Sequence, residues 1–195
     1  MRNLLYIISL ALLTSCGTSF VATHGQLSVK GTQLVDKNQK HVMLRGVSLG
    51  WHSMWPRFYN QFAVSWLKKD FNANVVRAAL GVELGEYGNY VNDKNFAKEK
   101  IYTVIDGAIK NNIYVIVDWH SHNIRLEEAK EFFDETSKKY GKYPNVIYEV
   151  FNEPDYETWA EIKSYSEEII KVIRKNDPDN IILIVSPSWY QDVHL

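Results

Sequence analysis

The sequence predicts an α/β fold of the (β/α)8 barrel kind, truncated after about its fifth strand, and three observations predict it. Short apolar runs begin at about 46, 75, 113, 146 and 181, between 29 and 38 residues apart, the ordinary length of one βα unit. The runs are continuous rather than alternating, as expected of parallel strands covered on both faces, and helical spacing fills the segments between them. Polar and aromatic residues then recur at the same phase, just after or late in successive runs. An open doubly wound sheet uses similar units, but no G-x-G-x-x-G or phosphate-loop sequence follows the first run. A barrel gathers the residues that follow its strands on one rim, which is what the recurring phase describes.

The elements follow in chain order. Met1-Arg2-Asn3 supplies one positive charge, and Leu4 to Leu13 is apolar except for Ser9. That is the length of a signal-peptide core and too short to span a bilayer. The run ends in Leu13-Thr14-Ser15-Cys16, which resembles the lipobox of bacterial lipoproteins. On that reading residues 1–15 are a signal peptide, Cys16 carries the lipid that anchors the protein in a membrane, and 16–24 form a tether. The alternative is an ordinary secretory signal that happens to contain a cysteine. Either way the protein is exported, to the outer membrane or cell surface, or to the periplasm or medium.

From residue 25 to 195 the chain reads as the N-terminal part of one barrel. Segments 27–29, 33–35 and 42–44 alternate around Gly31 and the turn Asp36-Lys37-Asn38-Gln39, and predict an opening hairpin. Strands are expected over 46–49, 75–80, 113–118, 146–151 and 181–185, and helices over 62–71, 98–111, 126–140 and 159–176. Asn111-Asn112 and Asn176-Asp177-Pro178 stand where helices should stop. No linker, charge block or second-domain boundary interrupts the pattern.

Composition narrows the function classes. Twenty-two Lys and Arg against 23 Asp and Glu leave a net charge of −1, so no strongly basic face for nucleic acid is expected. A 13% aromatic content argues against disorder, and one cysteine rules out an internal disulfide. No cofactor motif and no obligate protein partner is evident.

The chemistry-bearing residues fall at the strand ends. Trp51 and His52 follow the first run, Arg77 lies in the second, Trp119 and His120 follow the third, Asn152 and Glu153 the fourth, and Trp189 the fifth. A carboxyl at a rim, flanked by an amide and aromatics, can have its pKa raised by desolvation, which suits a general acid. Taken alone, Asn152-Glu153-Pro154 is equally a capping or surface ion-pair feature. Trp51, Trp55, Trp119 and Trp189 offer flat faces for sugar rings, whereas Trp66 and Trp159, on helices, are assigned to the core.

Four segments carry a family resemblance: Val75-Val-Arg77-Ala-Ala, Ile113-Tyr-Val-Ile-Val-Asp-Trp-His120, Tyr143-Pro-Asn-Val-Ile-Tyr-Glu-Val-Phe-Asn-Glu-Pro154 and Ser188-Trp-Tyr-Gln-Asp-Val-His194. In this order they resemble glycoside hydrolase family 5, in particular its bacterial endo-β-1,4-glucanase (cellulase) branch. The resemblance implies a retaining hydrolase of O-glycosidic bonds in a β-linked glucan, without metal or other cofactor. It makes Glu153 the acid/base, sets Asn152 on the sugar 2-hydroxyl, places Arg77 and His120 in the inner constellation, and matches Trp189 to an aromatic of the cleft.

Two departures stand out. The family places a histidine shortly after the first strand. A gapless alignment puts Gly50 there, and His52 takes the role only if the loop shifts by two residues. The family's nucleophile is a Glu at the seventh strand, beyond Leu195. Retaining chemistry needs its two carboxyls about 5–5.5 Å apart, and Glu149, on the same strand as Glu153, is roughly 13 Å from it at strand rise. Asp118 has no motif support as a nucleophile, so the 195-residue chain by itself is expected to be inactive. Two rival readings are a surface glycan-binding protein without turnover and a barrel-type metallohydrolase using His120 and His122.

Overall fold

The computed structural model describes residues 20–85 and 88–192. The signal-peptide reading of 1–15 and the lipidation reading of Cys16 lie outside the described residues. The segment 16–24, expected as a tether, differs in its described part. Phe20–His24 forms a helical turn, α1, whose Val21 is buried against the sheet base, and its N–H donates to the Asn112 carbonyl at 3.1 Å. The packed body therefore includes residues 20–24 of the segment expected as a tether.

The hairpin β1 (Ser28–Lys30) and β2 (Gln33–Val35) is antiparallel, with Val29 opposite Leu34. Asp36 turns the chain after it: its carboxylate accepts the N–H groups of Asn38 and Lys40 at 2.8 and 3.0 Å. The strand expected over 42–44 does not form. A single bridge pairs Val35 with His41, and Val42 instead turns down into the core.

Four βα units and a fifth strand follow: β3 (Gly46–Trp51), α2 (Gln61–Phe71), β4 (Val75–Gly81), α3 (Lys94–Asn111), β5 (Tyr114–His120), α4 (Leu126–Tyr140), β6 (Val146–Glu149), α5 (Trp159–Arg174) and β7 (Ile182–Leu183). The strands pair in parallel and in sequence order, β3-β4-β5-β6-β7. A doubly wound sheet reverses its strand order at a switch point; this sheet does not, and it forms part of a (β/α)8 barrel. Helix α3 begins four residues before the expected Lys98, because the Asp93 side chain accepts the Phe96 N–H at 3.0 Å, a cap of about 1 kcal/mol. Asn72 and Asn112 end α2 and α3 in the left-handed conformation (φ 53° and 54°). Strands β6 and β7 are shorter than expected: β6 ends where its pairing with β5 ends, at Asp118–Glu149, and β7 pairs with β6 only at Tyr148–Ile182 and Glu149–Leu183.

Alternation along each strand separates two cores. Outward residues such as Val76, Ala78 and Leu80 meet the helices through Ile101, Ile105, Phe132, Phe133 and Ile169. Each such side chain, fully buried, contributes about 1.5–3 kcal/mol. Inward residues at the base, Val75, Tyr114 and Ile147, pack on Val21, Leu27 and Val42 of the N-terminal segment. Trp66 and Trp159 depart from the expected core: they are 46% and 38% exposed. Trp66 lies on the flank of α2 with Phe71 edge-on at 5.0 Å, beside β3, where the described sheet ends.

Gly46 marks the tightest approach in the sheet. A Cβ there would sit 1.8 Å from the Val75 carbonyl oxygen. Gly46→Ala is expected to lower the unfolding free energy by about 3 kcal/mol, measured as a shift in the urea midpoint. A shift equivalent to less than about 0.5 kcal/mol would contradict the packing described here.

Candidate active site

The rim at the C-terminal ends of the strands is organised by Arg77. Arg77 points inward from β4, and the next residue on its face, Ala79, is only a methyl, so the long side chain can reach across to neighbouring strands. Its Nε and one Nη donate to the two Glu149 carboxylate oxygens at 2.7 and 2.8 Å. The same Nη donates to Asn152 Oδ1 at 2.8 Å and lies 3.0 Å from Asp118 Oδ2. Asp118 is fully buried and Glu149 nearly so. Two carboxyls of one sign are tolerable there only because one guanidinium faces both.

Asp118 in turn orients His120. The Asp118 Oδ2 to His120 Nδ1 distance is 2.6 Å, and placing the proton on Nδ1 leaves Nε2 as the free face of the ring. Burial, then the Arg77 charge, lowers the His120 pKa to about 4. Burial and the Glu149 charge push Asp118 upward, against the pull of Arg77. Its second oxygen has no hydrogen-bond partner among the described residues. Asn152 is held by its oxygen on Arg77, while its buried Nδ2 has none. Two N–H donors are thus left beside Glu153.

Glu153 itself follows β6 with its side chain 45% exposed. The desolvated setting expected for it is not built by the described residues. His122 Nε2 stands 3.8 Å from its carboxylate, and His122 Nδ1 stands 3.4 Å from Asp155. Asp155 also accepts the Trp189 indole N–H at 2.6 Å, and that bond is the main cause of its lowered pKa. Trp51 closes the other side, its ring edge-on to His120 at 4.8 Å. Trp55 is 47% exposed on the following loop, with the Arg57 guanidinium 5.5 Å from its ring centroid.

Two expected substrate contacts fall elsewhere. His52 is fully buried: the Gly81 N–H donates to Nδ1 at 3.0 Å, so Nε2 carries the proton and donates to the Gly88 carbonyl at 2.7 Å. Burial lowers its pKa. The cause is a β-bulge: the four residues from Ser48 to Trp51 oppose the three from Arg77 to Ala79, with Gly50 at φ +70°. The extra residue turns Trp51 inward and His52 out toward the helices. Trp119 is also fully buried, between Tyr90 at 5.1 Å and Phe132 at 5.6 Å. Strand alternation sends Asp118 and His120 to the cleft and Trp119 to the opposite face.

Sequence reasoning missed three members of this site. Asp118 and Glu149 lie two residues before His120 and four before Glu153, and period-2 spacing was available to place both inward. Tyr190 donates its hydroxyl to Glu149 Oε1 at 2.9 Å; burial and that carboxylate push its pKa up. Its signal was the Ser188-Trp-Tyr segment. His120 and His122, paired in the metallohydrolase reading, are directed to separate carboxylates, Asp118 and Asp155. Among the described residues no group of three His, Cys, Asp or Glu is arranged to hold a metal.

The His120 setting has a measurable sign. Its pKa in the folded protein lies below the unfolded value of about 6.5, so its contribution to stability is present above that pH and is lost as pH falls toward 4. NMR of the His120 ring is expected to show a midpoint near 4, and one at 6.5 or higher would contradict the geometry.

Residues 35–195 match the family model described as Cellulase (glycosyl hydrolase family 5). The chain is 42% identical to Endoglucanase Z of Dickeya dadantii over 192 residues, covering 95% of this chain and 44% of that protein. It is 45% identical to Endoglucanase A of Evansella cellulosilytica over 161 residues, covering 78% and 32%. A solved structure of the Thermobifida fusca endoglucanase Cel5A catalytic domain with cellotetraose superposes with a TM-score of 0.82 at 34% identity, covering 88% of this chain and 57% of that one. The chain spans less than half the length of these two curated relatives. With its parallel barrel strands and its Arg77, His120, Asn152 and Glu153 at one rim, the chain belongs to glycoside hydrolase family 5.

Proposed function

We propose that the protein hydrolyses O-glycosidic bonds in β-linked glucans as a retaining endoglucanase, with Glu153 as general acid/base. The observation that carries this reading is the fork of Arg77, which ties Asn152 to Glu149 and Asp118 and presents Glu153 at the rim next to them. The Glu153 carboxyl gives its proton to the leaving oxygen as the glycosidic C–O bond breaks. A second carboxylate attacks the anomeric carbon, and water, deprotonated by Glu153, then releases the sugar.

Neither Asp118 nor Glu149 is placed for that attack, since both are buried in the Arg77 fork. The attacking carboxylate is assigned to the seventh strand of the barrel, beyond residue 195. With its pKa lowered to about 4, His120 is neutral near pH 7 and offers Nε2 to the substrate, and Asn152 offers its Nδ2 to a sugar hydroxyl. Trp51, Trp55 and Trp189 supply rim faces for glucose rings. The cellotetraose complex of the Thermobifida fusca domain supports a β-glucan chain as the occupant of this cleft.

The same reading includes export. Residues 1–15 serve as the signal peptide and Cys16 carries the lipid anchor, supported by the position of the chain's single cysteine after the apolar run. The protein then meets its polymer outside the cytoplasm, where a substrate too large for uptake has to be cut.

Two measurements test this function. In the full-length protein, Glu153→Gln is expected to reduce release of reducing ends from a soluble β-linked glucan by at least about 100-fold without unfolding it; unchanged activity would remove Glu153 as acid/base and favour glycan binding without turnover. Cys16→Ser is expected to move the protein from the membrane fraction to the soluble one, and an unchanged distribution would exclude the anchor.

A further inference from the structure

Glu83 follows β4 at the rim, outside the constellation described above, and its carboxylate is saturated by one loop. The Ser121 hydroxyl lies 2.9 Å from each of its oxygens and 2.7 Å from the Asn123 carbonyl, which competes for its one proton, and Oε1 also accepts from Asn123 Nδ2 at 2.9 Å and from the His122 N–H at 3.3 Å. Ser121 is fully buried, and its Oγ accepts the Asn123 N–H at 3.1 Å. Among the described residues no Lys, Arg or His pairs with Glu83, so neutral donors from residues 121–123 hold its charge. A lone exposed Glu would stay in water; this one spends its acceptors on three successive residues.

The backbone that carries this carboxylate is itself anchored. Asn89, nearly fully buried, donates to the Glu83 and Gly85 carbonyls at 3.3 Å each, and Ser53 Oγ donates to the Leu84 carbonyl at 3.0 Å. On the other side, the loop it holds meets the acid/base at two points. The Ser121 carbonyl accepts the Glu153 N–H at 3.3 Å, and the His122 ring faces the Glu153 carboxylate at 3.8 Å. The segments after β4, β5 and β6 are thus linked in series, the first two by the Glu83 carboxylate and the last two by the Ser121 carbonyl and the His122 ring.

Resting on the reading of Glu153 as acid/base, we propose that Glu83 is a positioning residue for it: Glu83 fixes loop 121–123, and through the Ser121 carbonyl and the His122 ring that loop sets the direction of the Glu153 carboxyl. A carboxylate suits this task better than an amide, because both its oxygens accept. Gln at this position keeps one acceptor oxygen for the His122 N–H and Asn123 Nδ2, and loses the other.

The test is kcat/KM of the full-length protein on two substrates. Cellotetraose leaves as an alcohol that must be protonated, whereas dinitrophenyl β-cellobioside releases a phenolate that needs no proton. Glu83→Ala is expected to lose about 10- to 100-fold on cellotetraose, with at least a tenfold smaller loss on the aryl substrate, and Glu83→Gln is expected to fall between it and the parent. Ser121→Ala, which removes one donor only, should show the same selectivity at smaller size and serves if Glu83→Ala does not fold. Equal losses on both substrates, or none, while Glu153→Gln still abolishes cellotetraose cleavage, would overturn the role of Glu83 alone. Full cellotetraose activity in Glu153→Gln would overturn the acid/base reading and this assignment with it.

Discussion

One guanidinium organises the rim. Arg77 faces two buried carboxyls and the amide of Asn152, and the pieces it joins come from three strands and the segment that follows β6. Removing the positive charge would leave Asp118 and Glu149 unpaired in a setting of low polarity, where breaking such a pair costs about 3–5 kcal/mol. The arrangement is therefore stable only as a whole. Its rigidity has a chemical use: it fixes the His120 ring through Asp118 and the Asn152 amide through its oxygen, and so presets two of the groups that face a substrate. Arginine suits the position because its planar fork meets Glu149 with two parallel bonds, which a lysine ammonium does not reproduce.

The second constraint is which way each side chain faces. A strand sends alternate residues to opposite faces, so Asp118 and His120 share the cleft while Trp119, between them, is core. Where the alternation is broken, the break is built deliberately. Gly50 supplies the left-handed residue that a bulge requires, Trp51 is turned into the cleft, and His52 becomes a buried strut between two backbone segments. The Tyr59 hydroxyl bonds to both backbone groups of Ala79, holding the following loop against the strand opposite the bulge. A site of this kind is shaped as much by backbone irregularity as by the identity of its functional groups.

Around that centre the rim loops are linked in series. Glu83 holds residues 121–123, the Ser121 carbonyl meets Glu153, Asp155 meets His122 and Trp189, and Tyr190 returns to Glu149. The Pro187–Tyr190 turn places Ser188, Trp189 and Tyr190 in the left-handed region (φ 53°, 55° and 65°), a conformation disfavoured for such residues, and the bonds to Asp155 and Glu149 hold it. Each loop thus gains order from its neighbours, which a barrel permits because consecutive loops emerge side by side on one rim.

The βα order, most element boundaries and the motif residues Arg77, His120, Asn152 and Glu153 were legible in the sequence, because hydrophobic periodicity and strand-end chemistry are local properties of the chain. The early start of α3 was legible too, in the capping residue Asp93, once a cap is allowed to outrank the apolar pattern. Tertiary structure decided what depends on register and on distant partners. It put Asp118 and Glu149 opposite one another through the pairing of β5 with β6, buried His52 through a one-residue bulge, committed Trp119 to the core, and gathered loop 121–123 around Glu83 across 38 residues of chain. The physical reason is the same in each case: the sequence specifies which groups are present and how far apart they lie along the chain, while the face each one occupies and the charge it meets are set only when strands from separate units close on one another.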